Sequence, residues 1–439
     1  MKFYIYTLGC KVNTYESNIM RDLLISKGYT EGKKEEAELL IVNTCSVTNT
    51  ADHKSLKMVH QARKQNKDAI LIVTGCSTQN KKEVFEKDGS ADIILGNQFK
   101  SKIIDYIEEY KVAQEKKTDV RDISHVPFEN MKLNAFKGTR AFVKIQDGCN
   151  NFCSYCIIPY VRGNVRSKNI QDVLEEVESL VNNGKKEIVL TGIHTGNYGR
   201  DLKTNLATLL RSLVKIDGLE RIRISSIEIT ELGPDFMEVL KQEKKIVSHL
   251  HIPMQAGSDA ILKRMNRKYD TTYFLQKLDE IRLIRPDISI TTDVIVGFPG
   301  ETDDLFQETV ETIRKSHFSK IHVFPYSKRE GTKAATMDGQ IDENIKKERV
   351  QILLHLSEEL EREYMSHFVN KEVEVLPEMV KDGFLMGHTG NYLQVKFKGK
   401  KEDVNQIEKV HIDSLCYPYL EAHKVDKTSE NEQTFNKER

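Results

Sequence analysis

The stretch Asp147-Gly-Cys-Asn-Asn-Phe-Cys-Ser-Tyr-Cys-Ile-Ile-Pro159 places three cysteines close together in the chain. Cys149, Cys153 and Cys156 have the spacing i, i+4, i+7, which on a helix would form one buried apolar stripe. Gly148, the two asparagines and Pro159 disfavour a regular helix. The sequence therefore predicts a loop, and a loop can wrap three thiolates around one metal cluster.

The number of cysteines in this loop indicates the type of metal. A structural zinc site uses four closed ligands, and no nearby Cys or His supplies a fourth at a zinc-site spacing. Three thiolates can instead bind three irons of a four-iron cluster and leave the fourth iron with an open coordination position. Since an open position is where a substrate can bind, we predict a reactive [4Fe-4S] cluster on these three cysteines.

The cysteine loop opens a long region in which strand and helix patterns alternate. Strand patterns lie at 141–146, 187–191, 221–225, 249–253, 288–296 and 320–324, and a long helix pattern covers 342–369. Six such units suit an open or partial (β/α)6 barrel better than a closed eightfold one. The functional face of such a barrel is formed by the loops that follow the strands.

Residues 1–105 show a shorter alternation of the same kind, which predicts a parallel sheet. Cys10, Cys45 and Cys76 each follow a predicted strand, at intervals close to one βαβ repeat of roughly 30 residues. The carboxyl ends of parallel strands share one edge, so these cysteines should converge there. The alternative is three unrelated buried cysteines, because free cysteine is commonly buried.

The remaining segments complete an α/β chain in three parts. We predict a parallel-sheet cluster domain at 1–105, an irregular linker at 106–139, the partial barrel at 140–370 and a small β-barrel at 371–435. The alternative for the last part is a structural cap. The polar tail from 424 to 439 is predicted to be disordered, and Cys416 is expected to pack within the terminal barrel.

Composition narrows the class of protein. The 439 residues suit about three domains. Lys+Arg and Asp+Glu are both 66, which excludes a protein that coats nucleic acid through bulk charge but allows a local basic patch. We see no secretory signal and no apolar run long enough to span a bilayer, so we expect a cytoplasmic protein without a membrane partner. Seven cysteines in a reducing compartment indicate metal binding or catalysis before disulfides.

The motif CxxxCxxC at the start of six βα units resembles the radical S-adenosylmethionine (SAM) superfamily. The resemblance implies that the amino and carboxylate groups of SAM bind the open iron. It also implies that one electron from the cluster cleaves SAM to methionine and a 5′-deoxyadenosyl radical, chemistry that a cofactor must carry.

The whole chain resembles the methylthiotransferases of that superfamily. The matching stretches are LGCKVNTYES, NTCSVT, TGC, GCNNFCSYCIIPYVRG, SSIE, HIPMQAGSD and DVIVGFPGET. The resemblance implies an amino-terminal cluster domain, a radical SAM barrel and a carboxy-terminal TRAM module. It also implies a second [4Fe-4S] cluster on Cys10, Cys45 and Cys76, the use of two SAM molecules, and transfer of a methylthio group.

The resemblance further implies roles for individual residues. SAM contacts are expected at Tyr155, Gly192, Ser226, Glu228, Gln255, Gly297 and Phe298. For these the alternatives are ordinary packing, a surface carboxylate or a turn; His194, in the same loop as Gly192, is a weaker candidate. RNA contacts are expected at Arg162, Arg166, Phe384, Tyr392, Lys396 and Lys398, because aromatic rings stack on bases and cations meet phosphates. For the two arginines the alternatives are tuning of a negatively charged cluster, a grip on the carboxylate of SAM, or a merely solvated loop. For the other residues the alternative is barrel core.

The substrate is indicated by Lys11-Val-Asn, directly after Cys10. This resembles the branch that modifies C2 of threonylcarbamoyladenosine at tRNA position 37. The isopentenyladenosine branch tends to carry Gln-Met-Asn there, and the branch that modifies a ribosomal protein aspartate carries Pro-Lys-Asn. The implied partners are tRNA and a protein that supplies electrons. Both other substrates stay open as alternatives, as does a non-catalytic iron–sulfur or zinc protein that binds RNA.

Overall fold

A computed structural model describes residues 1–425 of the chain. The strands are β1 (Lys2–Thr7), β2 (Thr30–Glu31), β3 (Leu39–Thr44), β4 (Ile70–Gly75), β5 (Ile93–Leu95), β6 (Lys117–Asp119), β7 (Arg140–Lys144), β8 (Gln146–Asp147), β9 (Arg166–Ser167), β10 (Glu187–Thr191), β11 (Arg221–Ile224), β12 (His249–His251), β13 (Ser289–Val296), β14 (Lys320–Pro325), β15 (Glu372–Lys381), β16 (Phe384–Thr389), β17 (Gln394–Lys398), β18 (Glu408–Cys416) and β19 (Tyr419–Lys424). The predicted disorder of the tail concerns mainly residues 426–439, which lie outside the described residues.

The α-helices of the described part are α1 (Lys11–Ser26), α2 (Asn49–Gln65), α3 (Cys76–Asn80), α4 (Lys82–Asp88), α5 (Ile103–Ala113), α6 (Ile158–Arg162), α7 (Ile170–Asn182), α8 (Leu206–Leu213), α9 (Pro234–Gln242), α10 (Asp259–Arg264), α11 (Thr271–Ile284), α12 (Asp303–Ser316) and α13 (Glu343–Ser366). Among residues 1–425, no helix combines the length and the apolar character needed to cross a lipid bilayer.

The amino-terminal part is a parallel sheet, as its alternating pattern predicts. Its strand order is β2-β1-β3-β4-β5-β6, and every neighbouring pair is parallel. The central strands β3 and β4 are almost entirely buried, because helices cover both faces. The segment 106–139 is less irregular than predicted, since α5 extends to Ala113 and β6 adds an edge strand to this sheet.

Six parallel strands form the middle part. They lie in two three-stranded sheets, β7-β10-β11 and β12-β13-β14, which are joined through the isolated bridges Ile222↔Ile246 and Ser226↔His251. In β11 the side chains of Ile222 and Ile224 pack in the core beneath the helices, and Arg223 points to the opposite side. The predicted six-unit α/β arrangement is therefore confirmed, with a polar interior.

The first sheet docks onto the barrel through α1. Tyr15 and Ile19 of this helix belong to the same buried core as the barrel strands. The Tyr15 hydroxyl donates to the carbonyl of Met131 and to the carboxylate of Glu176 on α7, both at 2.8 Å. Helix α1 consequently holds the carboxyl edge of the first sheet beside β7.

The carboxy-terminal part is a closed five-stranded barrel with the order β15-β16-β17-β19-β18. Its core includes Val375, Leu385, Val395 and Phe397. Cys416 ends β18 and is half-buried. The small barrel is attached to the amino end of β11, where Arg223 donates to the backbone carbonyls of Thr389 and Gly390.

Candidate metal centres and cofactor site

The first cysteine trio converges at one edge of the amino-terminal sheet, as predicted. Cys10 precedes the first residue of α1, Cys45 follows β3, and Cys76 begins α3 directly after β4. Strands β3 and β4 end in register at the pair Thr44↔Gly75, so the next residue of each strand is a cysteine. Because β1 lies beside β3, the third cysteine reaches the same edge.

The loop before Cys10 approaches the loop of Cys45 closely. Gly9 has a φ of +96°, and a Cβ at this position would lie 2.7 Å from the Cys45 Sγ. Only glycine combines this backbone conformation with the absence of a side chain. The two cysteine loops can therefore touch.

Two thiols of this trio, those of Cys45 and Cys76, are buried, and that of Cys10 is exposed. Burial raises the pKa of Cys45 to about 11, and the neighbouring thiols Cys76 and Cys10 raise it further in the same direction. Burial also raises the pKa of Cys10, although this thiol retains contact with solvent. The guanidinium of Arg162 acts in the opposite direction on both, because a cation favours the thiolate.

The second trio lies on the loop between β8 and α6, and no regular helix covers it. Gly148 has a φ of +73°, and a Cβ there would overlap the carbonyl oxygen of Asn164. The Cys149 N–H donates to the carbonyl of Gly163 at 3.0 Å, which closes the loop. Burial raises the pKa of Cys156 to about 12, with Cys153 and Cys149 adding to the effect.

The donor chemistry of both trios fits an iron–sulfur cluster. Each trio supplies three sulfur atoms, the ligands that iron–sulfur clusters prefer. Within residues 1–425, no group of three or more His, Cys, Asp or Glu side chains is arranged to hold a single metal ion.

A buried ion network connects the two cysteine loops. Arg162, on α6 after the second loop, is completely buried. Its Nε donates to the Cys76 Sγ at 3.2 Å, its Nη1 to the Glu16 carboxylate at 2.5 Å, and its Nη2 to the Asn13 side chain at 2.6 Å. Arg162 thus connects the helix that follows the second cysteine loop with a cysteine of the first trio.

Further charges complete this network. Glu16 also pairs with Lys100 and Lys144, each at 2.8 Å, and Asp147 pairs with Lys144 at 2.9 Å and with Arg166 at 3.3 Å. Four cations therefore face two carboxylates in the interior. The unbalanced positive charge suits thiolates and an anionic cluster at Cys76.

Two further side chains reach the second trio: Arg267, which sequence reasoning missed, and His194, which was only a weaker candidate. The Arg267 Nη1 donates to the Cys153 Sγ at 3.4 Å, and its Nη2 pairs with Glu228 at 2.8 Å. The His194 Nδ1 lies 3.6 Å from the Cys149 Sγ. Burial alone would lower the pKa of His194, but hydrogen bonds to Cys149 and Glu231 raise it to about 10. Nothing in the local sequence around Arg267 signals this contact.

The structure gathers some of the predicted SAM contacts at the barrel mouth. Tyr155 and Gln255 line a cavity of about 220 Å³ together with Cys156. Val47 and Thr48, which follow Cys45, line the same cavity, so the cysteine edge of the first sheet faces the barrel mouth.

The other predicted SAM contacts lie around this mouth. Ser226 and Glu228 follow β11, Gly192 follows β10, and Gly297 and Phe298 follow β13. Glu228 is held by Arg267, and the Gly297 N–H donates to Glu301 at 2.6 Å. Phe298 is fully buried, and the centroid of its ring lies 6.4 Å from that of Tyr155. Contact of these residues with SAM stays a prediction.

The predicted RNA contacts divide into three groups. Arg162 and Arg166 are buried in the ion network, which corrects their prediction, because their guanidinium groups cannot reach a phosphate. Phe384, Lys396 and Lys398 lie on one face of the small barrel, where the Lys396 Nζ is 4.6 Å from the centroid of the Phe384 ring. Tyr392 lies apart from that face.

Comparison with known proteins agrees with this architecture. The family model Radical SAM superfamily matches residues 143–313, and the model Uncharacterized protein family UPF0004 matches residues 2–96. The chain is 44% identical to threonylcarbamoyladenosine tRNA methylthiotransferase MtaB of Bacillus subtilis (strain 168), over 96% of this chain and 95% of that protein. It is 38% identical to MtaB of Thermotoga maritima, over 94% of each chain.

More distant similarities follow the same pattern. The chain is 36% identical to tRNA-2-methylthio-N(6)-dimethylallyladenosine synthase of Carboxydothermus hydrogenoformans, over 96% of this chain and 98% of that protein. The solved structure of the radical S-adenosylmethionine methyltransferase TsrM from Kitasatospora setae, with tryptophan and a SAM analogue bound, aligns with a TM-score of 0.56. At 12% identity, over 74% of this chain and 72% of that one, this similarity indicates a shared fold only.

Proposed function

Because the chain belongs to the radical S-adenosylmethionine methylthiotransferases, we propose that it is a tRNA (N6-L-threonylcarbamoyladenosine-C2)-methylthiotransferase. It replaces the hydrogen on C2 of the modified adenosine at position 37 with a methylthio group. The observation that carries the proposal is that Arg162 and the barrel-mouth cavity join the two cysteine trios. The choice of substrate is supported by the 44% identity to a threonylcarbamoyladenosine enzyme over nearly the whole chain.

Each cysteine trio would hold one [4Fe-4S] cluster in this function. When bound, the two clusters and SAM supply the one-electron chemistry that an unactivated C–H bond requires, together with an open iron for the sulfur. Cys149, Cys153 and Cys156 hold the SAM cluster, and Cys10, Cys45 and Cys76 hold the second.

The side chains around the second trio position the Glu228 carboxylate and enclose the neighbouring cavity. Arg267 holds the Glu228 carboxylate beside Cys153, which orients Glu228 toward the place where the polar groups of SAM are expected. Ile157, Ile158 and Phe324 line the neighbouring cavity and give it apolar walls, which disfavour water. Exclusion of water protects a reactive intermediate from side reactions.

The partners are tRNA and a protein that supplies electrons, and the enzyme acts in the cytoplasm. The small barrel contributes an RNA-binding face through Phe384, Lys396 and Lys398. Aromatic rings and lysines on one face suit unstacked bases and phosphates of a tRNA loop. Of the arginines in the ion network, Arg162 contacts Cys76 and Arg166 pairs with Asp147.

The test is the tRNA nucleoside profile of a strain that lacks the gene. Mass spectrometry should show loss of the 2-methylthio-threonylcarbamoyl nucleoside and accumulation of its precursor. Wild-type protein and Cys416→Ala should restore the product, whereas Cys153→Ala should not, since only Cys153 belongs to a trio. Loss of the 2-methylthio-isopentenyl nucleoside instead, or an unchanged profile, would contradict the proposed substrate.

A further inference from the structure

A second cavity, of about 480 Å³, lies where three parts of the molecule meet. Lys11 enters it from the start of α1, Arg223, His249 and His322 from the barrel strands, and Tyr392 from the segment between β16 and β17. Lys11 directly follows Cys10, so this cavity begins beside the first cysteine trio. It is thus the place where the small barrel, the barrel interior and the first trio come together.

Of three cations at this cavity, two form ion pairs with carboxylates and one does not. The Arg223 Nε pairs with Glu187 at 2.8 Å, and the Lys320 Nζ pairs with Glu361 at 2.8 Å. No carboxylate among residues 1–425 forms an ion pair with the Lys11 ammonium, which is accessible from the cavity. An ammonium group placed against a cavity without a protein partner is available to an anionic ligand.

The histidines that line the cavity add little positive charge. His251 pairs with Asp293 at 3.2 Å, at the end of the cavity nearer the barrel mouth. Burial lowers the pKa of His249 well below its ordinary value and also lowers the pKa of His322, so both rings are neutral near pH 7. The excess positive charge of the cavity is therefore that of the Lys11 ammonium, for which residues 1–425 provide no ion-pair partner.

An aromatic ring lies beside these cations. The Tyr392 ring has its centroid 4.8 Å from that of His388 and 5.0 Å from that of His249. The guanidinium carbons of Arg223 and Arg140 lie 4.7 Å and 5.0 Å from the ring centroid, and 39% of Tyr392 remains exposed. A planar group with an anionic substituent matches a cavity that combines a partly open ring with an unpaired cation.

We propose that this cavity binds the N6 substituent of the substrate adenosine and that the Lys11 ammonium pairs with its threonine carboxylate. The inference rests on the proposed function, because a threonylcarbamoyl group carries a free carboxylate and a dimethylallyl group carries none. A neutral group would offer Lys11 no partner, so its ammonium favours the substrate that carries the carboxylate over the neutral one. Lys11 is thereby a specificity-determining residue of the enzyme.

The test compares two anticodon stem-loop RNAs that differ in one group. One carries threonylcarbamoyladenosine, and the other carries the methyl ester of its threonine carboxylate. Dissociation constants and product formation are measured with the reconstituted full-length enzyme. The wild type should bind the acid roughly tenfold more tightly than the ester, as expected for one charge-assisted contact.

Variants assign that preference to Lys11. Lys11→Met should bind both RNAs equally, and Lys11→Arg should keep part of the preference. Lys320→Met is the matched control, since its ammonium is already paired with Glu361, and it should retain the preference. Iron content per chain, measured on each variant, should stay at the wild-type level.

The outcomes separate this inference from the proposed function. If the wild type converts neither RNA, the proposed function fails. If the wild type binds and converts acid and ester equally well, the function stands and the role of Lys11 is overturned. A preference that persists in Lys11→Met, or that Lys320→Met abolishes equally, would also overturn it.

Discussion

Replacing Arg162 with methionine should loosen the attachment of the first sheet to the barrel. The Arg162 side chain has no exposed surface and donates to Glu16 and Asn13 on α1 and to the Cys76 Sγ. All three partners belong to the first sheet and its helices, whereas Arg162 belongs to α6. Methionine fills much of the same space but leaves those partners without their donor.

The free energy lost depends on the ion pairs that Glu16 keeps after the substitution. Breaking a buried ion pair by removing one partner costs about 3–5 kcal/mol. Glu16 would retain Lys100 and Lys144, each at 2.8 Å, so we expect the lower end, about 3 kcal/mol. Glu16→Gln should cost more, because four buried cations would then face Asp147 alone.

Hydrogen exchange of α1, followed by mass spectrometry on the reduced metal-free protein, measures this effect at the helix concerned. Amides of α1 should exchange roughly 100-fold faster in Arg162→Met if local opening becomes easier by ~3 kcal/mol. The control is Arg121→Met, which removes an exposed arginine bound to Asp119 and should leave α1 unchanged. Exchange within threefold of the wild type in Arg162→Met would refute the reasoning.

Three further predictions test other parts of the molecule. Burial alone would raise the pKa of Glu16, but Arg162, Lys100 and Lys144 hold this pKa well below the ordinary 4.5. The ionised carboxylate therefore contributes stability that is complete above pH 4.5 and is lost on acidification. Metal-free wild type should therefore lose more thermal stability than Glu16→Gln between about pH 5 and pH 3, and equal losses would contradict this. Gly148→Ala should lower the iron content of the second trio but not of the first, because a Cβ at residue 148 would overlap the backbone carbonyl of Asn164. Iron analysis and spectroscopy measure this. Unchanged iron content would show that the loop adapts. Lys396→Glu should weaken tRNA binding and reduce the slope of log affinity against log salt concentration by about 1. SAM cleavage measured without tRNA should be unchanged. An unaltered slope would place the phosphate contact elsewhere.

Much of the architecture was predictable from local pattern. Strands such as β10 have the predicted bounds, because side-chain periodicity is a property of neighbouring residues. The short strands β2 and β6 were not predicted, since two or three residues show no periodicity. Their place at the sheet edges depends on pairing with a distant strand.

The candidate site also has features that the sequence predicts and features that it does not. The sequence alone determined that two cysteine trios exist and that the first would converge, because parallel strands bring their carboxyl ends to one edge. Only the tertiary structure decided that Arg162 is buried against Glu16 and Cys76 instead of facing RNA. It also decided that Lys11 and Tyr392 share one cavity. The physical reason is that hydrophobic periodicity and turn chemistry depend on residues that are near neighbours in the chain. The partner of a buried charge depends instead on how distant parts of the chain pack together.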